Sequence, residues 1–130
     1  MHLAGRAFDE AYRDWAFTSP AARERLRSCV RVAALCHDLG HPPFSHCMEF
    51  AMPPRSAVPL TFLPHGINFT PPGEDRAASH EDYTIAILEH PSLAAVIERA
   101  CPFTNRHVAS LVRYEIEARD DFFVDGDIDH

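Results

Sequence analysis

The segment His37–Glu49, HDLGHPPFSHCME, constrains the fold more than any other part of the chain. It ends an apolar stripe at three- and four-residue spacing: Leu26, Val30, Ala33, Ala34 and His37. That stripe predicts a helix running from Ser19-Pro20 to about Asp38, with its buried face leading to His37. The serine is placed to cap the helix and the proline to occupy its first turn. Gly40 is predicted as the C-terminal cap. Adjacent helical side chains diverge by about 100°. His37 and Asp38 can therefore reach one ion only where the helix is ending, and further ligands have to come from other helices. His41 and His46 follow across a Gly-Pro-Pro turn whose prolines limit loop freedom. A short helix over 44–51 would put His46 and Glu49, three apart, on one face.

The remaining segments also read as helices. Residues 3–17 show Leu3, Ala7, Ala11 and Trp15 on one side. Ser79-x-x-Asp82 resembles a capping box, opening a helix to about Glu89 with Tyr83, Ile87 and His90 on one side. Pro91 starts another helix, to about Ala100. Thr104 caps a last one, in which Val108, Leu111, Val112 and Glu115 share a side. Between them, prolines at 53, 54, 59, 64, 71 and 72 predict a long ordered loop or lid at about 52–78. The tail from Arg119 is acidic and breaks at Asp125-Gly126. No alternating strand pair, internal repeat or low-complexity tract appears. The expectation is an all-α fold, and 130 residues suit one domain.

A net charge of −7 gives no phosphate-tracking surface, which argues against nucleic acid as a partner. A polyphosphate remains admissible where metal ions and local arginines screen it, with Arg55 and Arg76 the candidates. No apolar run approaches the roughly 20 residues that span a bilayer, and no signal-peptide core precedes the first helix. The four cysteines form no CxxC pair, so a disulfide framework is not expected and a cytoplasmic location is. Cys47 reads as a small apolar filler. Asp9, Glu10 and Asp14 read as a solvated face. His2, His65, His90, His107 and His130 read as structural or exposed.

The chemistry concentrates elsewhere. Imidazoles with carboxylates suit a divalent cation of borderline hardness and the proton transfers that accompany it. His46 beside Glu49 has the form of a general acid or base with its orienting carboxylate. His80-Glu81 supplies a second such pair at a helix N-terminus, where a phosphate would meet backbone N–H donors. A lone His-Asp pair is usually a surface pair. So many His, Asp and Glu residues at two turn-bounded helix ends are hard to explain as packing.

At AALCHDLGHPPFSHCME (33–49) and SHEDYTIAILEH (79–90), the chain resembles the HD-domain metal-dependent phosphohydrolases. It is most similar to the deoxynucleoside-triphosphate triphosphohydrolase branch, which includes bacterial dGTPases and the SAM-and-HD-domain enzymes. MHLAG at 1–5 resembles the helix after that family's first metal-binding histidine. The resemblance implies an all-α HD bundle acting on a nucleotide or other phosphorylated small molecule. It implies a divalent metal (Mn, Mg, Fe, Zn or Ni) held by His37 and Asp38. It places His41, His46 and His80 around the substrate phosphates, makes His46 and Glu49 a catalytic dyad, and pairs Glu81 with His80. The family's metal site has four ligands, and its outer His and Asp have no counterpart in this sequence. A partial HD domain is therefore expected, with self-association of its open ends. The alternative is a catalytically impaired remnant that binds a nucleotide or a protein partner.

Overall fold

The structure, a computed structural model, describes residues 1–62 and 75–113. Five α-helices carry the fold: α1 (His2–Ala11), α2 (Pro20–Cys36), α3 (His80–Glu89), α4 (Pro91–Ala100) and α5 (Asn105–Val112). Two 3₁₀ turns, Ser45–Ala51 and Arg55–Ala57, lie between α2 and α3. No strand is present among the described residues, and the all-α expectation holds.

Local chemistry sets most helix starts. Ser19 accepts from the Ala22 N–H at 3.0 Å, with Pro20 in the first turn. Asp82 accepts from the Ser79 N–H at 2.9 Å, the returning half of a capping box. His90 accepts from the Ser92 N–H at 3.3 Å ahead of Pro91. The Thr104 N–H donates to His107 Nδ1 at 3.0 Å, which explains why His107 is buried.

The core joins Leu26, Cys29, Ala33 and Cys36 of α2 to Ile85 and Leu88 of α3 and Val108 and Ala109 of α5. Phe8, Ile97 and Phe103 close it. α2 packs on α1 and α5, and α3 packs on α5 and α4. The buried Asn105 side chain donates to the Leu88 carbonyl at 2.7 Å and ties α5 to the end of α3. Burial pushes the Cys29 thiol up to about 12, with Cys101 adding to the shift, so Cys29 is packing and not a nucleophile.

Several helix faces differ from the sequence expectation. α1 stops at Ala11 instead of continuing to residue 17, because Phe17 folds back onto Phe8, ring centroids 6.0 Å apart. Its buried face is Gly5, Phe8 and Tyr12, while Leu3 is 76% exposed and Trp15 also faces out. Asp9 keeps solvent contact but is also paired: it accepts from Arg23 at 2.7 Å and from Arg27 at 3.0 Å. The buried stripe of α2 leads to Cys36, one residue short of His37. In α3 the core face is Ile85 and Leu88, while Ile87 is exposed. In α5 Leu111 faces out and Ala109 takes the buried position. Cys47 is exposed and fills nothing.

The Pro-rich segment has a built neck. Pro54 and Ala77 form an antiparallel bridge, with the Arg55 N–H on the Arg76 carbonyl at 2.8 Å and the Ala78 N–H on the Pro53 carbonyl at 2.9 Å. The backbone N–H groups of Thr61 and Phe62 donate to Glu89 at 2.7 and 2.6 Å. Residues 63–74 lie outside the described residues, as do His65, Glu115, Asp125, Asp127, Asp129 and His130.

Candidate functional site

The site forms where the α2 C-terminus, the following turn, the 3₁₀ helix Ser45–Ala51 and the α3 N-terminus meet. α2 ends at Cys36 with His37 still in right-handed helical conformation. Gly40 is therefore not a left-handed cap but a point of close approach. A Cβ on Gly40 would sit 2.0 Å from the His80 carbonyl oxygen and 2.4 Å from the Thr84 nitrogen. Only glycine lets the turn lie this close to α3.

Thr84 welds the two segments together. It is fully buried. Its hydroxyl accepts from the Gly40 N–H at 2.9 Å and donates to the His37 carbonyl at 2.9 Å. After the turn, Phe44 and Ser45 both adopt left-handed φ, 68° and 56°. Such residues store strain of order 1–3 kcal/mol each. They start the 3₁₀ helix that carries His46. With about three residues per turn, a 3₁₀ helix stacks i on i+3, and His46 Nδ1 lies 3.2 Å from Glu49 Oε1.

His80, at the first position of α3, meets this group from the other side. Its Nδ1 is 2.5 Å from the same Glu49 oxygen, and its Nε2 is 3.2 Å from Glu81 Oε1. The His41 ring stacks on the His80 ring, centroids 3.9 Å apart and 12° from parallel. The His46 ring stands edge-on to His41 at 4.6 Å. One donor atom from each of His41, His46, Glu49 and His80 lies within 4.8 Å of all the others. The hydrogen bond from His80 is the largest influence on Glu49 and, with that from His46, holds its carboxyl below the ordinary value despite desolvation. Burial pushes Glu81 up, but the Ser79 hydroxyl and the charges of His80 and Arg113 outweigh it, and its carboxyl is also lowered.

His37 and Asp38 stand at the edge of this cluster. Their side chains are 55% and 58% exposed, with His37 Nε2 3.1 Å from Asp38 Oδ1. That oxygen is also 3.3 Å from His41 Nε2, so Asp38 links the exposed pair to the stacked rings. Ligands about 2.1 Å from one ion stand roughly 3 Å apart, which fits the His37–Asp38 edge. The inner cluster is also a cation-type donor set. Its 2.5 Å contact between His80 and Glu49 is short for two ligands of one ion and suits a hydrogen bond.

The structure thus gathers His41, His46, Glu49, His80 and Glu81, with His37 and Asp38 beside them. Arg55 and Arg76, which by charge are candidates to hold a triphosphate, are engaged by another carboxylate. Both bind the buried Asp82, Arg55 at 3.2 Å and Arg76 at 2.7 Å, and Arg113 joins them. Sequence reasoning missed Thr84 and the depth of Asp82. The available signal for Thr84 was its position four residues after His80, on the same helix face.

The family described as "HD domain" matches residues 9–120. A 50-residue stretch is 48% identical to "Deoxynucleoside triphosphate triphosphohydrolase SAMHD1 homolog" of Dictyostelium discoideum, covering 37% of this chain and 9% of that protein. The mouse protein "Deoxynucleoside triphosphate triphosphohydrolase SAMHD1" is 54% identical over 33 residues, 25% of this chain and 5% of its own length. The Xenopus laevis protein of the same description is 32% identical over 62 residues, 48% and 7% respectively. The chain thus spans less than a tenth of these relatives' lengths. No solved structure matches the chain significantly.

Proposed function

The chain belongs to the HD-domain family, and on that premise we propose that it takes part in metal-dependent hydrolysis of deoxynucleoside triphosphates. The observation that carries this reading is the gathering of three imidazoles and the Glu49 carboxylate, donor atoms within 4.8 Å of one another, beside the His37–Asp38 edge. The descriptions of the relatives supply the substrate class.

In this reading His37 and Asp38 hold the divalent cation, which when bound supplies charge neutralisation and a lowered pKa for water. His41, His46 and His80 line the place of the substrate phosphates, where their imidazoles supply positive charge and ring N–H groups not already held by a carboxylate. Glu49 orients two of those rings from a single oxygen. With Nδ1 directed at Glu49, His46 has Nε2 for proton transfer. It is the most exposed of the three imidazoles, which suits passing a proton to a departing oxygen. Glu81 steadies the far nitrogen of His80. The products would be the nucleoside and tripolyphosphate.

The test is to incubate the purified chain with Mn²⁺ and a panel of deoxynucleoside triphosphates, and to measure tripolyphosphate release. The expected result is turnover that falls on the order of 100-fold or more in His46→Ala. Turnover no higher in the wild type than in that variant would overturn the reading and leave a binding role.

A further inference from the structure

We propose that Thr84 is a positioning residue, whose hydroxyl fixes the spacing between the cation-holding end of the site and its phosphate-holding end. The inference rests on the reading of the site given under Proposed function. His37 and Asp38 come from the end of α2, whereas His80 comes from the start of α3, 42 residues after Asp38. Their relative position has to be set by something between the two segments. Among the described side chains, Thr84 alone hydrogen-bonds to the backbone of the His37–Gly40 turn from α3, and it grips both ends of that turn.

The grip is geometrically closed. The hydroxyl has one proton, given to the His37 carbonyl, and it takes the Gly40 N–H on a lone pair. At full burial, water cannot replace either partner. Thr84 lies one helical turn after His80 on the same α3 face, so the bracket that fixes the turn is the same one that sets the stack of His41 on His80. Gly40 completes it, because any side chain there meets the His80 carbonyl. Loss of the hydroxyl would free the turn to slide along α3. His37 and Asp38 would then shift relative to His41 and His80 without any functional side chain having been altered.

The test compares wild type, Thr84→Val, Thr84→Ser and Gly40→Ala in three measurements. These are Mn²⁺ affinity by electron spin resonance, steady-state kinetics with a deoxynucleoside triphosphate, and ring ¹⁵N spectra of the histidines. Val keeps the shape and removes both hydrogen bonds, whereas Ser keeps the bonds and removes a methyl group. Outer-shell partners of metal ligands typically control affinity by 10–100-fold, so about a tenfold loss of Mn²⁺ affinity is expected for Thr84→Val. Its kcat should fall with KM nearly unchanged, and the His37, His41 and His80 resonances should move. Thr84→Ser should stay close to wild type, and Gly40→Ala should follow Thr84→Val. The proposal is overturned if Thr84→Val keeps wild-type Mn²⁺ affinity and ring spectra, even with a lower melting temperature. It is equally overturned if Thr84→Ser is as impaired as Thr84→Val. Should Thr84→Val fail to fold, Thr84→Ala, which removes the hydroxyl without adding a methyl group beside the His37 carbonyl, carries the same decision. A wild type without turnover would sink the proposed activity, while the ring spectra would still decide the role of Thr84.

Discussion

Glu49 is the most economical residue of the site, since one oxygen serves two imidazoles on different elements. Replacing it with Gln keeps the shape but removes the charge that orders both rings. We expect kcat to fall by about 100-fold, the scale of a lost acid–base partner. The pH dependence has a definite sign. The folded carboxyl titrates below its ordinary value of 4.5 because His80 and His46 bind its charged form. Activity that depends on ionised Glu49 therefore persists through neutral pH and is lost only as pH falls below about 4.5. A pH–rate profile of Glu49→Gln should lack that acid inflection, and an unchanged profile would remove Glu49 from the chemistry. Beside it, the left-handed Phe44 and Ser45 are a local cost. Phe44 is 83% exposed and gains little by burial. The strain goes with the tight turn that starts the 3₁₀ helix and aims His46 at Glu49.

α3 is the element on which the site is built. One side carries His80 and Thr84 toward the turn, and its core face carries Ile85 and Leu88. Asp82, fully buried, gathers Arg55 and Arg76 from the two arms of the neck and Arg113 from beyond α5. Burial pushes this carboxyl up, but hydrogen bonds from Arg76 and the Ser79 N–H, with the charges of Arg113 and Arg76, more than compensate, and its titration is lowered. A carboxyl lowered in the folded state stabilises at pH above its unfolded value and loses that contribution as pH falls. Asp82→Asn should therefore destabilise by roughly 3 kcal/mol at pH 7, the lower end for breaking a buried pair, because the guanidiniums are partly exposed. The deficit should shrink at pH below about 3.8, the ordinary value. Urea unfolding at pH 7 and pH 3 measures both, and an equal deficit at the two would exclude an ionised Asp82. Arg55 and Arg76 looked available for phosphate because sequence shows their charge but not its partner.

For the whole molecule, the proposal that the exposed His37–Asp38 edge holds the cation predicts modest metal affinity. Mn²⁺ at ten times its dissociation constant should add about 1.4 kcal/mol and raise the melting temperature by roughly 5 °C. EDTA should reverse the shift and His37→Ala should abolish it; calorimetry showing no shift would remove His37 from cation binding. Helix starts were legible because Ser19-Pro20, Ser79–Asp82, Pro91 and Thr104 carry their capping chemistry locally. Helix faces were less so. Leu3 and Phe8 look equally apolar in sequence, and only Phe17 folding back and Arg27 reaching Asp9 decide between them. The histidines of the site were legible as a motif. Thr84 and Gly40 were not, since their contact joins residues 44 apart. The neck has one more consequence. Phe62 is fastened to Glu89 and Asp75 to Ser56, so both arms of the neck are tied at fixed points. Doubling a loop between fixed ends costs only about 0.6 kcal/mol of closure entropy. The ties at the two arms thus hold Arg55 and Arg76 against Asp82 whatever the length of chain between them.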